Sequence, residues 1–259
     1  MSERHACRLL GLARSTKRYQ GRKGKRDASL RTRWKELAAK RMRFGYRRLT
    51  AMLLREGMAA NHKRVYRLYR EEGLAMRIRR RRRIRWSGPA REPAAHRANE
   101  KWSMDFVSDC VNAGRVIRML TVVDDCTREC PAIEVDTALG GLRVRRVLDR
   151  IVGERGLPEA IVVDNGPEFR GRALAAWSEE RGVRLEFIQP GKPVQNAYVE
   201  SFNGRLRDEC LNANWFTSLS DARRKIESWR QDYNQQRPHS SLNYMPPAEF
   251  ARTLVETRA

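Results

Sequence analysis

The segment AIVVDNGPEF (residues 160–169) decides how the second half of this chain folds. Residues 160–163 form a short apolar run that suits a buried strand, and Asp164 ends that run. In α/β sheets, functional groups gather at the carboxyl ends of strands. We therefore expect Asp164 to lie at a strand end that belongs to a functional site.

The pattern on both sides of this strand predicts alternating strands and helices. Three β-rich runs come before it and are followed by a helical pattern: residues 102–107, 116–123, 126–135 and 142–152. A helix, a strand and two further helices come after it: residues 169–181, 184–188, 196–211 and 220–235. This order predicts an α/β domain with a mixed sheet.

Charge divides the chain sharply. Of its 259 residues, the first hundred hold 31 Lys and Arg against 8 Asp and Glu, which accounts for the whole net charge of +23. Residues 101–259 hold 23 of each sign. A ribosomal-protein-like basic tail or an Arg-rich codon bias would also give a basic segment, but codon bias should enrich Arg along the whole chain. The simplest partner is nucleic acid, bound through its phosphates.

Composition excludes several other classes of protein. No apolar run approaches the roughly 18 residues of a membrane span, and the first residues lack an apolar signal core. The five cysteines form no C-x-x-C pair, which argues against a disulfide framework or a structural zinc site. The four histidines are scattered. We expect a protein of the reduced cytoplasm.

The basic part of the chain reads as helical. Helices are predicted around residues 6–12 and 30–42, and two more within 45–74, where Asn61 can begin the second helix and Gly73 can end it. Two short amphipathic helices with outward Arg and Lys suggest a helix-turn-helix, although any helical hairpin would look the same. The Arg-rich stretch 77–85 predicts an extended arm that becomes ordered on phosphates.

Three carboxylates stand out by position. Asp105 lies in the middle of a predicted strand, Asp164 ends one, and Glu200 lies on a predicted helix. On that helix, residues 199, 202 and 206 can pack on the sheet, while Glu200, Asn203 and Arg207 form a neighbouring polar stripe. The rival carboxylates are Asp124, Asp125 and Glu168.

These residue types suit phosphodiester transfer. Two divalent cations about 3.5–4 Å apart can polarise an attacking hydroxyl and stabilise a leaving oxygen. Mg²⁺ prefers oxygen ligands and keeps several waters, so two or three carboxylates from separate elements suffice. Spacing alone leaves the choice among the six carboxylates open.

Residues 101–250 resemble the catalytic core of the retroviral-integrase-like transposases. The signature blocks are WSMD (102–105), DDCTR (124–128), VVDNGPEF (162–169), GKPVQNAYVESFN (191–203) and the C-terminal stretch 233–250. Asp164 and Glu200 are separated by 35 residues, as in the D,D(35)E pattern. Residues 6–16 and 45–49 are similar to the start of OrfB, the second-frame product of two-frame bacterial insertion sequences.

The resemblance implies an RNase H-like core with a mixed five-stranded sheet, preceded by a small all-α, helix-turn-helix-type basic domain. It implies that Asp105, Asp164 and Glu200 form one catalytic site that binds two Mg²⁺ or Mn²⁺ ions. The activity implied is DNA strand cleavage and strand transfer at insertion-sequence ends. In this family the complete transposase usually carries a first-frame segment, so we expect the OrfA protein, or fusion to it, as a partner. We also expect a homo-oligomer on terminal inverted repeats and target DNA, associated with the bacterial nucleoid.

The predicted domains are a basic helical region over residues 1–86, a linker over 87–98, the catalytic core over 99–252 and a tail over 253–259. The predicted DNA-contacting residues are Arg47, Arg48, Lys63, Arg64, Arg67, Arg79, Arg80, Arg81, Arg82, Arg83, Lys192, Asn203 and Arg207. Asn203 and Arg207 are expected to contact phosphate or to hold Glu200.

Two other functions remain open. The chain could be a catalytically inactive DNA-binding regulator or the remnant of a mobile element. An RNase H-like nuclease acting on RNA–DNA hybrids is a third hypothesis. Two further residues are interpreted without catalysis: His239 as structural or DNA-contacting, and Asp124 as structural or DNA-proximal.

Overall fold

The computed structural model describes residues 2–18, 23–74, 95–189 and 196–256. The chain divides into two compact units, Met1–Ile78 and Arg79–Ala259, which we call the helical unit and the core unit. The predicted Arg-rich arm (77–85) and residues 87–94 of the predicted linker lie outside the described residues.

The helical unit contains five described helices. They are α1 (Glu3–Leu9), α2 (Arg14–Arg18), α3 (Lys23–Lys40), α4 (Tyr46–Arg55) and α5 (His62–Glu71). The first helix begins earlier than predicted because the Ser2 side chain accepts a hydrogen bond from the backbone N–H of His5 and caps it. The third begins at residue 23 and not at 30, so the helix predicted over 30–42 starts seven residues earlier.

Helices α4 and α5 are the two predicted around a turn. The side chain of Asn61 accepts the N–H of Lys63 at 2.8 Å and so caps α5. Gly73 follows α5 with φ of +68°, a left-handed conformation that favours glycine. Leu49 and Leu68, from the apolar faces of the two helices, are fully buried against Trp34 of α3. One small apolar core therefore holds α3, α4 and α5 together.

The core unit is built on one mixed sheet. Its strands are β1 (Lys101–Cys110), β2 (Val116–Asp124), β3 (Ala132–Asp136), β4 (Ala160–Val163) and β5 (Arg184–Phe187). Their order across the sheet is β3-β2-β1-β4-β5. The first three strands are antiparallel, whereas β4 runs parallel to both β1 and β5. The mixed five-stranded sheet is as predicted.

The helices of the core unit are α6 (Gly141–Arg155), α7 (Arg172–Arg181), α8 (Ala197–Leu206), α9 (Leu219–Gln235) and α10 (Pro247–Glu256). The helix predicted over 196–211 is shorter in the structure. Helix α8 ends at Leu206, and a π-helical turn, Arg207–Leu211, follows it. The helix predicted over 169–181 begins only after Gly171.

The strand predicted over 126–135 begins only at Ala132. The residues before it form a turn, because the carboxylate of Asp124 accepts the backbone N–H groups of Cys126 and Thr127, both at 2.9 Å. Arg128 then adopts a left-handed conformation with φ of +62°. Such a turn cannot continue a β ladder.

Each face of the sheet has its own apolar core. On one face, Val107 of β1 packs in a cluster with Val199, Phe202 and Leu206 of α8 and with residues of α9. On the other face, Met104 of β1 packs in a cluster with residues of α6 and α7. The apolar stripe predicted for α8 is thus buried, and it lays this helix across the strand that carries Asp105.

In the part of the chain that the structure describes, none of the helices is both long and apolar enough to span a bilayer.

Candidate active site

Asp105 lies on β1, and Asp164 directly follows β4, the strand that runs parallel beside it. Lys101 pairs with Ala160 and Ser103 with Val162 in the register of β1 and β4. Two residues further along the same register stand Asp105 and Asp164. Because parallel neighbours lie about 4.8 Å apart with their side chains on matching faces, these aspartates are brought together by the sheet itself.

Asp105 is half-buried in the middle of β1. Burial raises the pKa of its carboxyl, and the negative charges of Asp164 and Glu200 raise it further. Hydrogen bonds from the Phe106 N–H and the Asn203 side chain act in the opposite direction. The Asp105 carboxyl therefore experiences the charges of the other two carboxylates singled out in the sequence.

Asn203 fastens α8 to β1. Its Nδ2 donates to Oδ2 of Asp105 at 2.8 Å, and its Oδ1 accepts from the Thr121 hydroxyl on β2 at 2.9 Å. The side chain is 9% exposed, and both ends of its amide are engaged. The carboxylate that Asn203 holds is that of Asp105 and not that of Glu200, and its contact with phosphate remains a prediction.

Glu200 and Arg207 occupy the exposed border of the same helix. Glu200 lies in the first turn of α8 and is exposed, less than one helical turn before Asn203. Arg207 is also exposed and donates from Nη2 to the backbone carbonyl of Ser108 on β1 at 3.3 Å. Within the described residues Arg207 thus contacts the β1 strand, and the negative charge of Glu200 acts on the Asp105 carboxyl without sharing its hydrogen bonds.

The chemistry of this donor set fits a divalent cation of the magnesium type. The candidate ligands are carboxylate oxygens alone, which hard cations prefer. The pKa of Asp105 is raised mainly by burial and further by the negative charges of Asp164 and Glu200, and a bound cation would offset both effects. Among the described residues no group of three or more His, Cys, Asp or Glu side chains is arranged so that it could already hold a metal ion. The carboxylates are therefore neighbours rather than a preformed cage.

Asp124 is a structural residue, the first of the two interpretations given above (structural or DNA-proximal). It is fully buried, accepts the backbone N–H of Asn99 at 2.8 Å and pairs with Arg155 Nη2 at 3.1 Å. Together with the turn N–H groups described above, these donors occupy its carboxylate. Asp125 next to it is 2% exposed and accepts the Ser103 hydroxyl at 2.6 Å. Burial raises the pKa of Asp125 to about 7.

Glu168, the last rival carboxylate, is paired with a cation that the sequence did not single out. Arg118 Nη1 on β2 donates to Glu168 Oε1 at 2.5 Å, and this hydrogen bond holds the pKa of Glu168 below its usual value. The Arg118 guanidinium also lies 4.5 Å from the centre of the Phe106 ring. Phe106 in turn stacks on Phe169 at 5.0 Å. This chain of contacts links the residue after Asp105 to the loop that follows Asp164.

In the helical unit, two of the predicted DNA-contacting arginines meet a buried acid. Arg64 Nε donates to Asp27 at 2.6 Å, and Arg67 Nη2 pairs with the other oxygen of that carboxylate. Asp27 is 4% exposed. In the sequence, the role of Asp27 is indicated only by its position as an acidic residue within the basic stretch before residue 30.

The structure also describes the other three predicted DNA-contacting residues of α4 and α5. Lys63 is exposed at the start of α5. The guanidinium of Arg48 lies 5.5 Å from the Phe44 ring centre, and that of Arg47 lies 5.9 Å from Tyr46. Five predicted arginines of the Arg-rich arm, 79–83, and Lys192 lie outside the described residues.

His239 is a packing residue in the structure. It is 5% exposed, its ring lies edge-on to Tyr233 at 4.8 Å, and its Nε2 is 3.2 Å from Arg237 Nη1. Arg237 is itself buried and forms a two-pronged ion pair with Glu209 of the π-helical turn. The C-terminal stretch 233–250 therefore anchors the π-helical turn that follows α8.

Comparison with known families agrees with this architecture. Residues 95–193 and 181–247 match the family described as Integrase core domain, and residues 25–82 match the HTH-like domain. A solved viral assembly, the simian T-cell lymphotropic virus intasome in complex with a PP2A regulatory subunit, includes a chain that superposes with a TM-score of 0.56. The alignment is 14% identical and covers 83% of this chain and 73% of that one. The fold is an RNase H-like integrase core with a helix-turn-helix-like helical unit, which defines a polynucleotidyl-transferase type of enzyme.

Two curated relatives narrow the class. This chain is 54% identical to a 31.7 kDa protein of insertion element IS407 from Burkholderia multivorans (strain ATCC 17616 / 249), over 97% of this chain and 91% of the relative. It is 28% identical to the transposase InsD of an Escherichia coli IS2 element, over 81% of this chain and 73% of the relative. The chain belongs to the insertion-sequence transposases of the DDE/integrase type.

Proposed function

We propose that this chain is a transposase subunit that cleaves DNA strands at the ends of an insertion sequence and joins them to target DNA. The observation that carries the proposal is that Asp105 on β1 lies beside the end of the parallel strand β4, which Asp164 directly follows. Asn203 fastens the helix that carries Glu200 to Asp105. Acids on separate elements, gathered at one place in a DNA-handling fold, are what phosphodiester transfer requires.

In this proposal, Asp105, Asp164 and Glu200 supply oxygen ligands for two Mg²⁺ or Mn²⁺ ions. When bound, such ions polarise the attacking hydroxyl and stabilise the leaving oxygen. The rest is done by the chain: Asn203 fixes the orientation of the Asp105 carboxylate, and the Gly166 N–H donates to Asp164 Oδ1 at 2.8 Å and fixes that of Asp164. Water first attacks the phosphodiester at the element end, and its P–O3′ bond breaks to release a 3′-hydroxyl. That 3′-hydroxyl then attacks a target phosphodiester and displaces the 3′-oxygen of the target strand.

The helical unit would hold the duplex. The first hundred residues carry the whole net charge of +23, and α5 presents Lys63 to solvent. We assign the phosphate contacts of this unit to Arg47, Arg48, Lys63, Arg64 and Arg67, and further contacts to Arg79–Arg83, Lys192 and Arg207. The DNA substrates would be the terminal inverted repeats and the target duplex, on the bacterial chromosome.

The test is Mg²⁺-dependent nicking of a duplex that carries the element end. Asp164→Asn and Glu200→Gln are expected to abolish nicking while DNA binding is retained. Glu179→Gln on α7 is the matched control, since Glu179 is also an exposed helix glutamate. Equal nicking by wild type and by both site variants would remove the proposed site. Binding without any nicking by the wild type would favour the alternative of a DNA-binding regulator.

We propose a first-frame protein of the element as the partner, supplied separately or as a fusion. We also propose that several copies of this chain assemble on the DNA. Adding that protein to the nicking reaction tests this part separately. Stimulated cleavage and a larger complex on the end duplex are expected. If cleavage and complex size are the same with and without it, the partner is not needed.

A further inference from the structure

The loop over residues 164–169 joins the two faces of the sheet. Asp105 shares one face with Val107, two residues further along β1, in the cluster that includes α8. Phe106 lies on the opposite face and packs against the cluster of α6 and α7. Phe169 is buried in that second cluster and stacks on Phe106 with 5.0 Å between the ring centres. The loop therefore begins at a proposed metal ligand and ends in the apolar core of the opposite face.

Arg118 of β2 holds the end of this loop. Its Nη1 donates to Oε1 of Glu168 at 2.5 Å, and its guanidinium carbon lies 4.5 Å from the centre of the Phe106 ring. The side chains of Arg118 and Glu168 are only 31% and 22% exposed, so this ion pair is better shielded from water than an ordinary surface pair. The ring contact fixes the cation, and the cation fixes Glu168.

Gly166 connects Glu168 to Asp164. Its N–H donates to Asp164 Oδ1 at 2.8 Å, and its carbonyl accepts the N–H groups of Phe169 and Arg170, both at 3.1 Å. A Cβ on residue 166 would lie 2.9 Å from the same Asp164 oxygen and 3.3 Å from Oε2 of Glu168. Both carboxylates therefore border the space that this glycine leaves open, and a displacement of the turn alters the donor that orients Asp164.

We propose that Arg118 is a positioning residue for Asp164: it fixes Glu168, and through the turn at Gly166 it holds the Asp164 carboxylate in the orientation that binds a divalent cation. This rests on the proposed function and deepens it. Without the ion pair, the loop is held at this end by the ring stack alone, and the Asp164 carboxylate must lose more conformational freedom when it binds the cation. Groups that orient metal ligands commonly contribute about 10–100-fold to metal affinity.

The test measures Mn²⁺ binding to the full chain without DNA, from the electron paramagnetic resonance signal of free Mn²⁺. The binding that Asp164→Asn removes belongs to the site. Arg118→Gln and Glu168→Gln are each expected to weaken that binding about tenfold, and to raise the Mn²⁺ concentration for half-maximal nicking by a similar factor. Arg143→Gln is the matched control, because Arg143 pairs with Glu134 on β3, two strands from β1, and should keep the wild-type affinity.

A double variant separates positioning from direct binding of the cation by Glu168. If Arg118 acts through Glu168, the chain with both Arg118→Gln and Glu168→Gln binds Mn²⁺ no more weakly than either single variant. Losses that multiply to roughly 100-fold overturn the proposal, and so do wild-type affinities in both single variants.

The two glycines of the site and of the α6 cap provide an independent probe. Gly166→Ala is expected to weaken Mn²⁺ binding, because its Cβ displaces the Asp164 carboxylate. Gly140→Ala is the control, since a Cβ there meets nothing within 4 Å. Equal affinities in the two glycine variants contradict the connection through Gly166.

Folding and the proposed function are read from separate results. If Arg118→Gln is unfolded by circular dichroism, the isosteric Glu168→Gln decides alone. Equal Mn²⁺ binding by the wild type and Asp164→Asn removes the metal site itself, and the positioning role with it. Binding that depends on Asp164 but is unaffected by Arg118→Gln and Glu168→Gln leaves the metal site in place and overturns only the positioning role.

Discussion

Asn203 Nδ2 on α8 lies 2.8 Å from Oδ2 of Asp105 on β1, and the Asn203 Oδ1 accepts the Thr121 hydroxyl at 2.9 Å. One amide thus joins the helix that carries Glu200 to the strand that carries Asp105. Since Thr121 is the cross-strand partner of Asp105, the amide orientation is fixed by the same sheet that presents the carboxylate. Groups that orient metal ligands in this way commonly matter about 10–100-fold for activity.

Asn203→Ala is expected to lower single-turnover cleavage by roughly 10- to 100-fold with little change in DNA affinity. The Asp105 carboxylate loses its side-chain donor, while the DNA-binding surface keeps its charge. Thr121→Val should have a smaller effect of the same kind, because Asn203 keeps its contact with Asp105. Asn212→Ala, at an exposed position after the π-helical turn, is the control. Wild-type cleavage by Asn203→Ala would show that the contact does not serve the reaction.

The site illustrates what the sequence could and could not predict. Asp164 at the end of an apolar run predicted a strand end correctly, because short β-rich runs leave few alternatives. The helical spacing of residues 199, 202 and 206 also predicted the buried side of α8 correctly. The partner of Asn203 could not be predicted. A residue at the edge of that buried side can face either neighbour, and the choice depends on where α8 lies across β1.

Contacts between distant elements account for the other differences. The late start of β3 comes from the Asp124 carboxylate, which binds the turn N–H groups and is itself fixed by Arg155 and Asn99. The pairing of Arg64 with Asp27 joins residues 37 positions apart on two helices. Periodicity shows which face of a helix or strand is apolar. It does not show which polar side chains of other elements that helix or strand contacts.

The salt dependence of DNA affinity tests which of the two units provides the phosphate contacts. Residues 101–259 carry no net formal charge, whereas the first hundred carry +23. A fragment comprising residues 95–259 is expected to bind duplex DNA more weakly than the full chain, with a slope of log affinity against log salt shallower by several units. Fluorescence anisotropy at a series of salt concentrations measures both. Equal slopes would assign the phosphate contacts to the core unit instead.

The buried acid of the helical unit gives a stability prediction. Although burial raises it, the hydrogen bonds from Arg64 and Arg67 hold the pKa of Asp27 below its usual value. Asp27→Asn keeps the size of the side chain but removes the charge that both arginines share. The unfolding free energy of the helical unit should fall by about 1–3 kcal/mol, as for other buried groups that lose a charged partner.

Thermal or urea unfolding followed by circular dichroism measures this change. Glu36→Gln is the control, since Glu36 is an exposed partner of Arg33 and such pairs contribute little. DNA binding separates two roles for Asp27. If the acid serves only to hold the helices, Asp27→Asn should bind DNA at least as tightly as the wild type, because the unit gains positive charge. An unchanged unfolding free energy in Asp27→Asn would show that the interaction of Asp27 with Arg64 and Arg67 does not stabilise the fold.

Asp125 should make the stability of the core unit depend on pH in the direction opposite to that of an ion-paired acid. Burial raises the pKa of Asp125 to about 7, whereas an unperturbed aspartate titrates near 3.8. Between these values the folded chain keeps a proton that the unfolded chain loses. The stabilisation is therefore complete below about pH 4 and is lost as the pH rises through about 7, by at most roughly 4 kcal/mol.

Asp125→Asn removes this titration and keeps an acceptor for the Ser103 hydroxyl. Urea unfolding of wild type and variant is to be compared at several pH values from about 4.5 to 8.5. The difference in unfolding free energy should shift in favour of the variant as the pH rises, because only the wild type must then bury a negative charge or retain a proton. If the two chains follow parallel curves over this range, Asp125 is ionised in the folded protein at all of these pH values, and the nearby positive charge of Arg128 outweighs its burial.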